Sequence, residues 1–437
     1  MLLNKELLSE EKNIIFSSLK NDKFKASVIA FSANIPLTKE AVAYNLLLSG
    51  LLRRGTLRHP SMSALNRSLD ELYGSYVEIR SANIGNNLSL IITAEVLDNK
   101  FIPDSTDALG GVIDIISDIL LNPLIKSASF DKQLFLQERK IAIDLLNSEK
   151  NNTRAYSVKR CAELMSEETS LYPSRDELME LLCKATFEDV LLHYQNIIAN
   201  APLDIFYIGA TSPDIIKRKL SSAFEKYPAH SPYKAIPLKP YRRAEFKAVT
   251  EKMSVSQGKL AMGFSTGVHI SATDNRYYTA LMLNEIFGGS PSSKLFLNVR
   301  EKMSLCYYCS STFSIYSGVM MVSSGIEVDK IDIVKNAILE QLEQIKLGNI
   351  SEFELEAARR SISNSYRQLY DNPFDMQSFY SGRAMFGVSD TIELCIQRLM
   401  NVTLNDIISL AKQIKLDAVF FVEGSDIWEQ EEDFDND

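Results

Sequence analysis

Apolar positions along the chain follow the periods of strands and helices, and the order of those patterns occurs twice. Residues 203–209 (LDIFYIG) and 416–422 (LDAVFFV) are short, continuously apolar runs of the buried-strand type. Each follows a helix that opens on a threonine N-cap with an acid in its first turn, at Thr186 with Asp189 and at Thr403 with Asp406. Near the starts, residues 28–32 (VIAFS) parallel 261–265 (AMGFS), and long apolar helices follow near 40–54 and 273–287. Strands near 75–82 and 87–95 match strands near 305–314 and 317–326. Helices near 107–121 and 131–149 match helices near 330–347 and 351–371, and Ile331, Val334, Ile338 and Ile345 draw an apolar stripe on one of them. The offset stays at about 210 to 235 residues throughout, so the chain reads as one α+β unit written twice.

Between the copies, residues 227–241 hold four prolines and no helical period, the mark of an extended, semi-rigid linker. The expected organisation is an N-terminal lobe over 1–227, a linker over 228–243, a C-terminal lobe over 244–427 and an acidic tail over 428–437. Composition adds three exclusions. At 437 residues, 46% hydrophobic and 24% charged, the chain is long enough for sizeable cores and is not a disordered one. A net charge of -9 argues against nucleic acid as a partner. No run approaches the roughly 18 uncharged apolar residues of a membrane span, and the first dozen residues carry acids where a secretory signal needs an apolar stretch, so the expected location is cytoplasmic, away from membranes. Five cysteines, an odd number, suit a reducing compartment. Cys306 and Cys309 form a CxxC, but residues three apart on a regular strand point to opposite faces, so a structural role is expected for both.

The candidate chemistry lies in residues 287–307. Gly288 and Gly289 are expected to end the preceding helix, since glycine tolerates the positive φ of a helix C-terminus. Pro291 suits the first turn of a new helix, Leu295, Phe296 and Val299 recur at helical spacing, Arg300 falls near its end, and Tyr307 heads a strand. A glycine-rich turn, a cation and a phenol in one helix-to-strand connection could grip a peptide carbonyl. The ordinary reading is an arginine facing water and an aromatic in the core. Arg53-Arg54 and Arg242-Arg243 read as surface pairs, and Glu138-Arg139 and Glu356 with Arg359-Arg360 as local ion pairs on helices.

The run GGSPSSKLFLNVREKMSLCYY resembles the second-half signature of the insulinase/pitrilysin-type zinc peptidases, in particular their two-chain bacterial and mitochondrial branch. The resemblance implies that Arg300 and Tyr307 hold the substrate backbone beside a metal site in the other half or another chain. It further implies a His-x-x-Glu-His helix in the first half, with the Glu as base and a later Glu completing the zinc ligands. Gly55-Thr56 and Pro60-Ser61 match the pairs that follow this motif and pin its register. The two histidine positions then fall on Leu46 and Gly50, the base on Ser49 and the later ligand on Leu145; a one-residue slip would put Asp144 at the last. His59, His193, His230 and His269 are more than thirty residues apart and form no metal pair. This copy is therefore expected to hold no metal and to cut no peptide bond alone. It is similar to the non-catalytic members of bacterial two-gene peptidase pairs.

The fold so implied is α+β: two homologous lobes, each a mixed, mainly antiparallel sheet with helices on one side, joined by an extended linker. The implied function is that of a non-catalytic subunit of a heteromeric metallopeptidase. It would close the chamber and position peptide, through Arg300, Tyr307 and the Gly288-Gly289 turn, for a homologous partner that carries the zinc. Peptide maturation is the implied process, and a homodimer is an option for the isolated chain. Two alternatives stay open: a purely structural pseudo-peptidase, and an independent peptide-binding scaffold.

Overall fold

A computed structural model of the chain describes residues 4–9, 12–126, 129–166, 172–228, 236–237, 245–271 and 274–424. The first half runs β1 (Asn4–Ser9), β2 (Ile14–Lys20), β3 (Ala26–Pro36), α1 (Lys39–Arg53), α2 (Met62–Glu71), β4 (Tyr76–Ile84), β5 (Asn87–Leu97) and α3 (Ala108–Leu121). A two-stranded ribbon follows, β6 (Ile125–Lys126) and β7 (Ser129–Phe130), then α4 (Lys132–Ser148), α5 (Thr153–Ser166), α6 (Arg175–Lys184), α7 (Phe187–Asn200), β8 (Leu203–Gly209) and α8 (Pro213–Ala223). The second half runs β9 (Lys247–Met253), β10 (Gly258–Ser265), α9 (Arg276–Asn284), β11 (Cys306–Ser314), β12 (Val319–Ile326), α10 (Ile331–Lys346), α11 (Glu352–Gln368), α12 (Pro373–Ala384), α13 (Ile392–Met400), α14 (Leu404–Ala411) and β13 (Lys415–Gly424).

The duplication is visible in strand order. One sheet runs β1-β2-β8-β3-β5-β4 and the other β9-β13-β10-β12-β11. Setting β2 against β9, the two orders coincide, with β1 an extra outer strand. The pairing senses coincide as well: β2–β8 and β9–β13 are parallel, and the remaining equivalent pairs are antiparallel. The two apolar runs seen in the sequence, in β8 and β13, occupy the same place in their sheets. The helices before them also begin alike. Thr186 caps α7 in a capping box with Asp189, and Thr403 caps α14 in one with Asp406, each side-chain oxygen accepting from the N3 amide at 3.2 Å.

The chain folds into two compact units that divide at Pro237 and Leu238, within the expected linker, but each also holds a segment from the other half of the sequence. Unit 1 comprises Met1–Asn147, Leu171–Pro237 and Leu369–Thr391, and unit 2 comprises Ser148–Ser170, Leu238–Gln368 and Ile392–Asp437. Each half of the sequence thus gives one helical segment to the unit built by the other half. The physical reason is strand alternation. In unit 2, Leu260, Met262 and Phe264 of β10 are buried, and Phe264 packs edge-on against Phe287 at 6.2 Å. The opposite face, with Ala261, Met321, Ala418, Phe420 and Val422, is just as apolar and is covered by Tyr156, Cys161 and Met165 of α5. In unit 1, Ile205 and Tyr207 of β8 join a core with Ile29, Phe31, Leu47, Ile92 and Ile113. Phe206, between them, stacks on Tyr380 of α12 at 6.4 Å. Helices pack on one face of each sheet as expected, and a single exchanged helix covers the other.

Of the expected linker, residues 229–235 and 238–243 lie outside the described residues, as do the whole acidic tail and His230. Ile236 is held to the β4–β5 hairpin, its N–H donating to Asn87 Oδ1 at 2.9 Å while Asn87 Nδ2 donates back to its carbonyl at 3.3 Å.

Candidate functional site

The zinc-ligand positions of the first half lie on α1 and α4, both in unit 1. Thr38 caps α1, its hydroxyl accepting from the Ala41 amide, and a continuous apolar face with Leu47, Leu48, Leu51 and Leu52 buries the helix against the sheet. Leu46 packs partly against that core. Ser49 is buried, and its hydroxyl donates to the Leu46 carbonyl at 2.8 Å, a local bond that takes the place of any role as a base. Gly50 stands where a ligand side chain would project. A Cβ there would lie 2.8 Å from Cδ of Glu138 and closer still to Oε2, so the carboxylate of Glu138 occupies that space. Glu138 is in turn paired with Arg54, with side-chain exposures of only 12% and 22%. Leu145, two turns beyond Glu138 on α4, is 62% exposed and brings no donor atom. Zinc needs three or more N, O or S ligands. A leucine, a glycine and a second leucine cannot supply them, and Glu138, the carboxylate that occupies the space at Gly50, is engaged by arginine, so these residues do not fit the metal. Among the described residues no group of three or more His, Cys, Asp or Glu gathers closely enough to hold a metal ion.

Two local expectations are corrected. Arg53 and Arg54 are not a solvated pair: Arg53 donates through Nε and Nη2 to the Ile79 carbonyl, at 3.1 and 2.7 Å, and Arg54 neutralises Glu138. Glu138 and Arg139 do not pair locally, since Arg139 turns to the Cys183 and Ala185 carbonyls and packs over the Phe135 ring. The signal for Glu138 was its spacing: seven residues before Leu145, it shares the helix face assigned to the lost ligand. The local pairing of Glu356 with Arg359 is present at 2.6 Å. The described histidines do separate things. His59 Nδ1 lies 3.2 Å from the Thr56 hydroxyl in a turn, His269 Nδ1 lies 2.9 Å from the Ile270 carbonyl, and His193 is buried in α7, where burial lowers its pKa to about 4.

The second-half residues lie in unit 2. The glycines at 288 and 289 close the helical run as expected, but both are helical and neither has the positive φ expected of a helix end. The chain passes instead through a π-helical turn, Glu285–Gly289. Gly288 is required there for close approach, because a Cβ would fall 2.7 Å from both the Ser311 amide nitrogen and Leu295 Cδ1. A second π-helical segment, Leu295–Lys302, buries Leu295 and Val299 and carries Arg300 in its last turn. Ser304, with φ 51°, turns the chain into β11, and the Leu305 amide donates back to the Val299 carbonyl at 3.2 Å. The pair is then fixed. Arg300 Nε donates to the Tyr307 carbonyl at 3.0 Å, the guanidinium lies over Phe296 at 4.6 Å from the ring centroid, and Nη1 reaches Glu301 at 3.1 Å. The Tyr307 side chain is 57% exposed.

Tyr307 is a bulge residue, so the two cysteines do not face opposite ways as a regular strand would have them. In the β11–β12 ladder Cys306 faces Ile326, Tyr308 faces Gly325 and Cys309 faces Ser324, so one extra residue sits between Cys306 and Tyr308. Ile326 and Ser324 are two apart on one face of β12, and Cys306 and Cys309 therefore share a face too. The neighbouring Cys309 thiol, with Ser324 and the Arg300 charge also helping, lowers the Cys306 pKa to about 7, while Cys309 is pushed up.

With this geometry in place, comparisons with known proteins are direct. The family model described as "Peptidase M16 inactive domain" matches residues 184–362. The chain is 29% identical over 425 residues to a "Probable inactive metalloprotease YmfF" of Bacillus subtilis (strain 168), which covers 96% of this chain and 98% of that protein. Its fold is similar to that of a conserved protein from Enterococcus faecalis V583, with a TM-score of 0.89 and 26% identity over 97% of this chain and 99% of that one. An M16 inactive domain from Pseudomonas fluorescens shares the fold at a TM-score of 0.75 and 13% identity, covering 97% of this chain and 99% of that one. A match that runs the length of the chain in sequence and in fold makes this chain similar to the M16 (insulinase/pitrilysin-type) metallopeptidase-like proteins, among them one described as a probable inactive metalloprotease.

Proposed function

We propose that this chain is the non-catalytic subunit of a heteromeric zinc metallopeptidase, which positions peptide for a homologous partner that supplies zinc, water and the general base. The reading is carried by one observation: Arg300 and Tyr307 are fixed to each other, with the phenol exposed, in a chain whose ligand positions hold Leu46, Gly50 and Leu145. In the proposed complex the Arg300 guanidinium and the Tyr307 hydroxyl donate to the carbonyl next to the scissile bond. They orient it and steady the negative charge that develops as water adds. The substrate class is peptide, in a maturation step in the cytoplasm.

The test is cleavage by the complex reconstituted with a His-x-x-Glu-His partner. Arg300→Ala and Tyr307→Phe are each expected to slow turnover by roughly a hundredfold, the loss of about 3 kcal/mol typical of one preorganised donor, with the complex mass unchanged. A second reading, a purely structural pseudo-peptidase, is favoured by the internal commitments of Arg300 to Tyr307, Phe296 and Glu301. Normal turnover by an intact double-mutant complex would establish that reading and sink the positioning role.

A further inference from the structure

We propose that Cys306 and Cys309 form a peroxide-reactive dithiol, with Cys306 the attacking thiol and Cys309 the resolving one, built by the bulge at Tyr307. Three observations on the fold carry it, and none depends on a substrate role for this chain. The first is placement. Without the bulge a CxxC on a strand would send its thiols to opposite faces, whereas here they share one face. The second is asymmetry. Cys306 is half-buried and next to the Arg300 guanidinium, which favours a thiolate, whereas Cys309 is buried, as a resolving thiol shielded from competing reactants should be. The third is the absence of another occupant, since no further His, Cys, Asp or Glu among the described residues joins the two sulfurs as a metal ligand.

The chemistry balances with a hydroperoxide as oxidant. Cys306 thiolate attacks the terminal oxygen, the O–O bond breaks, and the leaving oxygen takes a proton to become water or an alcohol; Cys306 is now a sulfenic acid. The Cys309 sulfur then displaces that hydroxyl, its proton leaves with it as water, and an S–S bond closes. Two thiols have lost two electrons and the hydroperoxide has gained them. A small dithiol reverses the reaction by exchange. Closure has a mechanical consequence. A disulfide needs its Cα atoms within about 6.8 Å, whereas three residues of regular strand span about 10 Å. The bond therefore tightens the bulge, and the residue within it is Tyr307, whose carbonyl anchors Arg300.

The experiment uses the full chain treated with hydrogen peroxide, followed by peptide mapping. The expected result is an intramolecular Cys306–Cys309 bond, reversed by dithiothreitol and absent from Cys306→Ser. In Cys309→Ser, dimedone is expected to label Cys306 as sulfenic acid. On the untreated wild-type protein, which needs no variant to fold, iodoacetamide is expected to modify Cys306 with a midpoint near pH 7, against roughly 8.5 for an ordinary thiol. Oxidation that goes to the exposed Cys183 while Cys306 and Cys309 stay reduced, or a Cys306 alkylation midpoint at or above 8.5, would overturn the proposal.

Discussion

Replacing Gly50 by alanine tests whether the lost metal site has been filled. In an otherwise unconstrained helix interior, glycine to alanine gains about 1 kcal/mol, and Gly50 lies well inside α1. The added methyl would, however, sit 2.8 Å from Cδ of Glu138, which must then move off its bond with Arg54. Stripping a partner from a buried ion pair costs about 3–5 kcal/mol. Here the two groups keep 12% and 22% exposure and are displaced rather than deleted, so a loss of about 2–3 kcal/mol is the appropriate scale. The net expectation for Gly50→Ala is a destabilisation of about 1–2 kcal/mol. The decisive part is the sign in a second background. In Glu138→Ala the space is vacant, and Gly50→Ala there should stabilise by about 1 kcal/mol. Denaturant titration or calorimetry of the four proteins gives the cycle, at about 2–4 °C per kcal/mol for a unit of this size. Stabilisation by Gly50→Ala in the unmodified chain would refute the packing argument.

Three further outcomes are expected. The purified chain should carry no stoichiometric zinc by metal analysis, and about one tightly bound zinc per chain would undo the register that places Leu46, Gly50 and Leu145 at the ligand positions. The depressed pKa of His193, about 4 against 6.5, means the unfolded state binds its proton first. Its stabilising effect is whole above about pH 6.5 and is lost as the pH falls towards 4, by on the order of 3 kcal/mol. His193→Phe should flatten that acid limb in stability measured against pH. Thr186→Ala and Thr403→Ala should each cost about 1 kcal/mol in denaturant titration, because their capping boxes are equivalent; a difference of severalfold would count against the equivalence.

The repeat is legible in the chain because strand burial and helix capping are local. The runs in β8 and β13 and the threonines before α7 and α14 carry their signals within a dozen residues. The lack of ligand atoms at Leu46, Gly50 and Leu145, in the space that the resemblance assigns to a metal site, is legible too, as ligand chemistry is a property of single residues. What fills that space is not, since the approach of Glu138 to Gly50 joins positions 88 residues apart that no local pattern relates. The dithiol escaped for the opposite reason. A regular alternation was assumed through Tyr307, and one inserted residue reverses it. Gly288 was read for conformational freedom, but its use is to admit Ser311 and Leu295, while Gly289 lies against Glu285 and Asn284. Nothing in the periods of α5 or α12 says which sheet each will cover.

That exchange of α5 and α12 sets a timetable for synthesis. Once Gly209 has left the ribosome, every strand of the first sheet exists, but the helix that stacks Tyr380 on Phe206 has not been made. At about 5–20 residues per second, on the order of ten to thirty seconds pass before it emerges. Over that interval the nascent chain presents an aromatic sheet face to its surroundings. The second unit waits longer still, because it needs β13, which ends at Gly424. The first unit therefore stays open while most of the second is being made, and that open face is a defined, transient surface for a chaperone to occupy.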